Sequence, residues 1–444
     1  MSAEPATATT APATASQAAM FFAEMKGLYE CAYNVTTVID VAGSFTAEDL
    51  SDAGRRLNAA TPALQVRMGL DEDTGEVCYR LDDTPPATEV FDLPGGDAAA
   101  ARALIDEVAA RPFDCEGGAL ARYAVVRTAA DRAYVALVCH HLVVDGPSHA
   151  RLAHRLGQAV GGTLEAEPSR AYTELVRRVR ELELNAAADD LAYWHRRLPE
   201  GFAPAVPWQR EGDGGVGRAG AEAGAGAGAG NAAAEGTHAL SDRCILTPLP
   251  RRSVERLEKA AESAGVRLFH LLAAAVHWAM PTAAGQPSVI STAASIRPLG
   301  EDGDPVTGYF INEIPLLAAK NPGASPLDIA TTESPHWRED LRRRYIQFTD
   351  LVSRSERRAD SQSRLDALML SYRTTPRGLA WRAGDIGYST DLYPKFLEEK
   401  TDLVVRIFHQ SGDMECDVQW SPRLPAGAGE RFASALVNVL SDGF

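Results

Sequence analysis

The run Val135-Ala136-Leu137-Val138-Cys139-His140-His141-Leu142-Val143-Val144-Asp145-Gly146 decides how the rest of the chain is read. From Ala133 to Cys139 nearly every residue is apolar, the pattern of a central strand covered on both faces. The strand ends in adjacent histidines, and after three apolar residues come an aspartate and a glycine, giving HHxxxDG. A strand end delivers its last side chains into a cleft. A histidine held there titrates near neutrality and can take a proton from an attacking nucleophile. The same letters also arise from core or surface histidines beside an Asp-Gly turn, so the motif has to be weighed with the rest of the chain.

Working outward, Leu120–Arg127 reads as a strand joined to the histidine strand by a short turn, and Ser148–Val160 as a helix leaving the motif. Upstream, Tyr33–Val41 and Glu76–Leu81 read as strands and Phe45–Ala60 and Ala98–Arg111 as helices. The first of these helices has Thr46-Ala47-Glu48-Asp49 as its N-cap signal. Tyr172–Leu198 reads as one long charged helix. Residues 211–236 are dominated by glycine and alanine, which bury too little to offset their ordering entropy, so 206–238 is expected to be a flexible linker. Beyond it, helices are expected at Ser253–Ala264, Leu268–Met280 and Gly427–Leu440. Strands are expected at Ser288–Ala293, Ile311–Leu316, Leu368–Tyr372, Leu403–His409 and Met414–Trp420. The fold class is therefore α/β (α+β), with an N-terminal lobe over 20–205 and a C-terminal lobe over 239–444.

The chain has 444 residues, enough for two or three domain-sized units, and a formal net charge of -16. Such an acidic chain is a poor partner for nucleic acid or an anionic membrane, both of which need basic surface. Arg342-Arg343-Arg344 and the group Arg354, Arg357 and Arg358 read as solvated helix faces. The six cysteines are scattered without CxxC spacing, so neither a zinc site nor a disulfide framework is indicated, and reduced thiols in a cytoplasmic protein are expected. Residues 1–19, rich in Ala, Thr, Pro and Ser, lack the features of a secretory signal and are expected to be a disordered tail. No apolar stretch is long enough to span a membrane.

Further segments carry a family resemblance. Arg111-Pro112-Phe113-Asp114 with Leu120-Ala121-Arg122 resembles the stretch before the histidine strand in nonribosomal peptide synthetase condensation domains. Tyr193-Trp194 through Leu198 resembles their YW…L helix end. Thr307-Gly308-Tyr309-Phe310-Ile311-Asn312-Glu313 resembles their GxFVNT motif, and Ser295-Ile296-Arg297-Pro298 their arginine-proline loop. Order and spacing agree over roughly residues 21–444. There are departures. The family's opening motif, with its Gln and Trp, is not recognisable near Met20 to Leu28. Its RHExLRTxF motif is reduced to Ala60 through Met68, with Gln65 at the inner arginine and Arg67 nearby. Glu313 replaces Thr, and Pro147 follows the histidine motif. They suit a divergent, free-standing member.

The resemblance implies two chloramphenicol-acetyltransferase-like lobes arranged in a V, with an active-site tunnel between them and His141 midway along it. His141 would act as general base, or position the nucleophile and stabilise the tetrahedral intermediate. His140 is expected to be packed within the scaffold. Asp145 would form a structural salt bridge, with Arg297 as first partner candidate and Arg67 as second; a relay from Asp145 to His141 is the weaker alternative. Gly146 is expected to supply positive-φ freedom and a possible oxyanion donor. Asn312 would bridge the lobes, line the tunnel or cap a strand. His149 and His154 read as surface or satisfied histidines.

No adenylation signature or carrier-protein serine motif is present; Pro94-Gly95-Gly96-Asp97-Ala98 has alanine where the serine is needed. The acyl donor would then come from outside, on the phosphopantetheine thioester of an acyl or peptidyl carrier protein acting in trans, or on coenzyme A. The acceptor would be a small amine or alcohol, and no metal is implied. The favoured reading is a monomeric, stand-alone condensation enzyme forming an amide or ester. A coenzyme A-dependent O- or N-acyltransferase and a non-catalytic carrier-recruiting domain remain open beside it.

Overall fold

The computed structural model describes all residues except 1–9, 28–30, 187, 199–242, 282–286, 299–305, 320, 356–366, 375–379, 384–385, 394–400, 411 and 423. The glycine- and alanine-rich stretch 206–238 lies outside the described residues.

The first half runs β1 (Ala11–Pro12), α1 (Ala15–Met25), β2 (Asn34–Ala42), α2 (Ala47–Ala60), β3 (Val66–Leu70), β4 (Val77–Leu81) and β5 (Thr88–Asp92). It continues through α3 (Ala98–Ala109), β6 (Ala121–Ala129), β7 (Arg132–His140), α4 (Gly146–Val160), α5 (Ser169–Leu184) and α6 (Ala188–Arg197). The second half opens with β8 (Cys244–Leu249), α7 (Arg251–Ser263), α8 (Leu268–Ala279), β9 (Pro287–Ser295), β10 (Ile311–Ala319), α9 (Pro326–Arg342) and α10 (Phe348–Ser355). It closes with β11 (Leu368–Arg373), β12 (Ala380–Ala383), β13 (Ile386–Tyr393), β14 (Leu403–Gln410), β15 (Asp413–Trp420) and α11 (Ala428–Asp442).

Each lobe is a six-stranded sheet with helices against it: β12-β13-β2-β7-β6-β5 in one, β10-β9-β11-β14-β15-β8 in the other, with a small β1-β4-β3 sheet beside them. The histidine strand β7 lies between β2 and β6, as its apolar run requires. Its alternate residues serve different cores. Val135, Leu137 and Cys139 pack into the main core of their lobe. Ala136 and Val138 pack with Ala101, Ile105 and Val108 of α3 on the other face.

Three expectations are corrected. The lobes do not divide at residue 239: β13 pairs antiparallel with β2, from Gly387 opposite Ala42 to Tyr393 opposite Thr36. Ile296, Val306 and Phe310 also join the first lobe's core. A composition break is a local property of the sequence, whereas β2 needs a partner on its open edge, and a later strand supplies it. The long helix expected over Tyr172–Leu198 is two, and the second docks on the other lobe. There Trp194 and Leu198 pack with Val289, Leu317 and Ile346, and Tyr193 Oη donates to Asp340 at 2.6 Å. The expected tail is ordered from residue 10. Thr14 caps α1 with a reciprocal bond to Gln17, and both side chains are buried.

Arg344 also departs from its expectation as part of a solvated face. It is buried, and its guanidinium bonds the carbonyls of Ser295 and Arg297. All six cysteines are free thiols. Among the described residues no helix is long and apolar enough to cross a membrane.

Candidate active site

The β7 ladder ends at His140, opposite Asn34. The His140 amide donates to Leu120 and the His141 amide to Tyr33, each at 2.9 Å. The chain then tightens into a 3-10 turn over His141–Val143, pinned by the fully buried Leu142, Val143 and Val144. Gln17 of α1 donates from Nε2 to the Leu142 carbonyl at 3.0 Å. The segment expected to be a tail thus supports the histidine loop from beneath, through a glutamine just upstream of Met20–Leu28.

His140 and His141 do different things. His140 Nδ1 accepts from the Leu142 amide at 3.1 Å, and the ring packs edge-on against Tyr33 and Phe113. Because an amide can only donate, the neutral ring carries its proton on Nε2, which lies 3.7 Å from Glu24 Oε1. Glu24, Cys115 and His140 bring ligand-type atoms within 4.8 Å of one another. A metal on Nε2 would displace that proton while Nδ1 is already an acceptor, leaving an imidazolate, and burial pushes the Cys115 thiol up to about 12. The group therefore suits scaffold packing. Arg122 completes it, stacking over Phe113 at 3.8 Å and donating to the carbonyls of Val108, Arg111 and Pro112.

His141 is half-buried and meets Tyr309 edge-on at 6.1 Å. Burial, with the charges of His140, Arg373 and His149 behind it, pulls its pKa down to about 3; the Val144 backbone pulls the other way. The imidazole is consequently neutral and able to accept a proton, but it departs from the near-neutral titration expected of it: burial makes the ring a weak base.

Asp145 ties the halves together. Its side chain accepts from the Ser148 amide (2.8 Å), capping α4, and from the Phe310 amide (3.1 Å). Its own amide donates to the Gly308 carbonyl at 2.9 Å. Arg297 Nη2 stands 3.8 Å from Asp145 Oδ2, donates to the Val306 carbonyl at 2.8 Å and lies over the Phe310 ring at 4.5 Å. The first partner candidate is therefore the one in place. Arg67 is elsewhere, donating to the carbonyls of Leu64, Val66 and Thr84. Asp145 spends its carboxylate on these partners and not on His141.

Gly146 is not a positive-φ residue; it is the first residue of α4, and the nearest atoms a side chain there would meet are those of the Arg373 guanidinium, at 3.8–3.9 Å. The demand for glycine is steric and falls instead on Gly308, where an added Cβ would come within 2.2 Å of the Phe310 ring. The Gly308 amide donates to Ser148 Oγ, while Thr307 bonds Glu167 through its amide and its hydroxyl. Asn312 donates to the carbonyls of Arg344 and Ile346, at 2.9 and 2.6 Å, so it ties β10 to the turn after α9. His149 is buried, its ring bonded to the Thr36 backbone and Nε2 without a partner. His154 is exposed. Of the residues around His141, the sequence pointed neither to Arg373 nor to a buried role for His149.

A family model for the condensation domain matches residues 7–441. The chain belongs to the condensation-domain family. It is 28% identical over 345 residues to phosphinothricin tripeptide synthetase PhsC of Streptomyces viridochromogenes, covering 73% of this chain and 29% of that protein. It is 22% identical over 422 residues to a plipastatin synthase of Bacillus subtilis, covering 92% and 11% respectively. The chain thus spans less than a third of the length of these relatives. Among solved structures, the first condensation domain of the calcium-dependent antibiotic synthetase, in complex with a substrate analogue, superposes with a TM-score of 0.70. The two are 20% identical, over 98% of this chain and 97% of that one. A variant of the starter condensation domain of rhizomide synthetase in complex with C8-CoA gives 0.73 at 18% identity, over 98% and 95%. The fold is the two-lobed chloramphenicol-acetyltransferase-like one.

Proposed function

We propose that the protein is an acyltransferase of the condensation type. It moves an acyl or aminoacyl group from the phosphopantetheine thioester of a carrier protein to an amine or hydroxyl acceptor, acting in trans. The observation that carries the reading is His141, a neutral imidazole at a strand end, bordered by Tyr309 and Arg373 from the second half of the chain. Its Nδ1 is enclosed, which leaves Nε2 to meet the substrate. The acceptor's nitrogen or oxygen attacks the thioester carbonyl and its proton passes to His141 Nε2. The C–S bond of the tetrahedral intermediate then breaks, and the sulfur leaves as thiol with that proton. An α-amine has a pKa near 8 and is readily neutral, so with amines His141 mostly positions; a hydroxyl needs the base. Asp145 and Arg297 hold the loop and the 306–310 segment together and do not touch the reacting atoms. The donor arm supplies the thioester, and the protein supplies orientation and the base.

The test offers one acyl group both on a carrier protein and on coenzyme A, to a mixed pool of amines and alcohols, with products read by mass spectrometry. Transfer from the carrier protein is expected. Transfer from coenzyme A alone would make the protein a coenzyme A-dependent acyltransferase. No transfer from either, with the carrier protein bound, would make it a recruiting domain.

A further inference from the structure

Arg373 is the last residue of β11, and its guanidinium lies against Gly146 at the start of α4. The guanidinium carbon stands 3.8 Å from where a Cβ on Gly146 would be. It is close enough to His141 and His149 for its charge to disfavour protonation of both. Among the described residues no carboxylate lies within ion-pair distance of it. Among the described residues its hydrogen bond is a long one from Nε to Ser371 Oγ, 3.3 Å, and its guanidinium lies 5.8 Å from the centre of the Phe408 ring.

The neighbouring charges are already committed. Asp417 pairs with Arg406 at 2.8 Å. Asp145 serves Ser148, Phe310 and Arg297. Desolvation, then repulsion from Arg406, lowers the Arg373 pKa to about 10, with Asp417 and Asp145 pulling back. The group therefore stays charged at neutral pH. A sequestered guanidinium with no counter-ion among the described residues has charge left to offer, and its planar fork matches a carboxylate. His149, 3% exposed, feels the Arg373 charge, and its buried Nε2 has no hydrogen-bond partner among the described residues. That nitrogen would accept from an N–H or O–H donor.

We propose that Arg373 is a specificity-determining residue that binds a carboxylate carried by the substrate next to His141. This rests on the acyl-transfer reading above and deepens it by naming a substrate class: an acceptor such as a free amino or hydroxy acid, or a donor such as a dicarboxylic acyl group.

The experiment compares carboxylate and carboxamide forms in separate arms. Acceptors are free amino acids against their amides, each with an apolar acyl donor. Donors are succinyl against succinamoyl thioesters, each with an amide acceptor. Calorimetry of the same unactivated compounds on wild-type protein gives a readout that does not need turnover. Wild type is expected to prefer the carboxylate form in one arm by about 10- to 100-fold in kcat/KM, the range of a charge-assisted hydrogen bond. Arg373→Gln should bring that ratio near one, and Arg373→Lys should retain part of it. The arm that responds identifies which substrate carries the group. A wild-type enzyme with no preference in either arm overturns the proposal, as does an unchanged ratio in Arg373→Gln. Transfer between the neutral pairs without a carboxylate preference would sink this inference while leaving acyl transfer standing. If no pair transfers, the acyl-transfer reading fails, and binding of carboxylates over amides decides this one.

Discussion

Replacing Asp145 by alanine takes one carboxylate away from three partners at once. The Ser148 and Phe310 amides, bonded at 2.8 and 3.1 Å, would be buried without acceptors, at about 1–3 kcal/mol each. Arg297, 4% exposed, would keep its charge with no counter-ion, and breaking such a pair from one side costs about 3–5 kcal/mol. The 3.8 Å separation puts this pair at the low end of that range. The contributions share one side chain and do not add in full. A loss of about 5 kcal/mol is therefore expected, or on the order of 10 °C in Tm at roughly 2 °C per kcal/mol in a large chain. Asp145→Asn keeps an acceptor and loses the charge, so it should fall between. The double variant Asp145→Asn with Arg297→Gln, which leaves no unbalanced charge, should recover about 1 kcal/mol over the sum of the singles. Calorimetric melts run beside transfer assays check this. An Asp145→Ala protein that melts like wild type but is inactive would refute the structural role and give Asp145 a part in the chemistry.

Gly308→Ala should destabilise by about 1–3 kcal/mol, because its methyl would displace the Phe310 ring that Arg297 covers; a thermal melt equal to wild type would show that the ring yields freely. Acid should weaken the fold through its neutral buried histidines. Burial brings His277 and His149 down to about 3 and His270 to about 4. The unfolded chain takes up these protons near pH 6.5 and the native one does not. The stability they contribute is thus complete above pH 6.5 and falls toward pH 3–4, by up to about 1.4 kcal/mol per pH unit for each group. Urea titrations from pH 7.5 to 4.5 should show the decline, and His277→Gln should flatten it; stability that holds or rises on acidification would contradict it.

The central strands were legible because they are buried on both faces and rich in apolar residues, without a break at Ala133–Cys139 and with Arg406 as the one interruption over Leu403–Phe408. β12 and β13 were not, because residues 380–393 mix Arg, Gly, Ser, Thr and Asp without a clean alternation, and their pairing with β2 is non-local. The histidine loop was legible as a motif. Its supports were not: Gln17 sits in a stretch whose composition reads as tail, and Arg373 is a lone arginine at a strand end. Only the folded contact with Gly146 gives it a role. The Arg297 pairing could be foreseen from the family resemblance. That Gly308, rather than Gly146, is the sterically required glycine depended on where the Phe310 ring falls, which no local pattern specifies.

The most direct test is a single-turnover measurement with a preloaded acyl carrier protein, comparing wild type with His141→Ala on paired alcohol and amine acceptors. The ring is neutral and the loop around it is pinned by other residues, so the variant should melt within a few degrees of wild type. Its rate to alcohols should fall by about 100- to 10,000-fold, the usual worth of a positioned base, and to amines by less. Equal rates for wild type and variant with both acceptors would contradict His141 as the group that handles the proton.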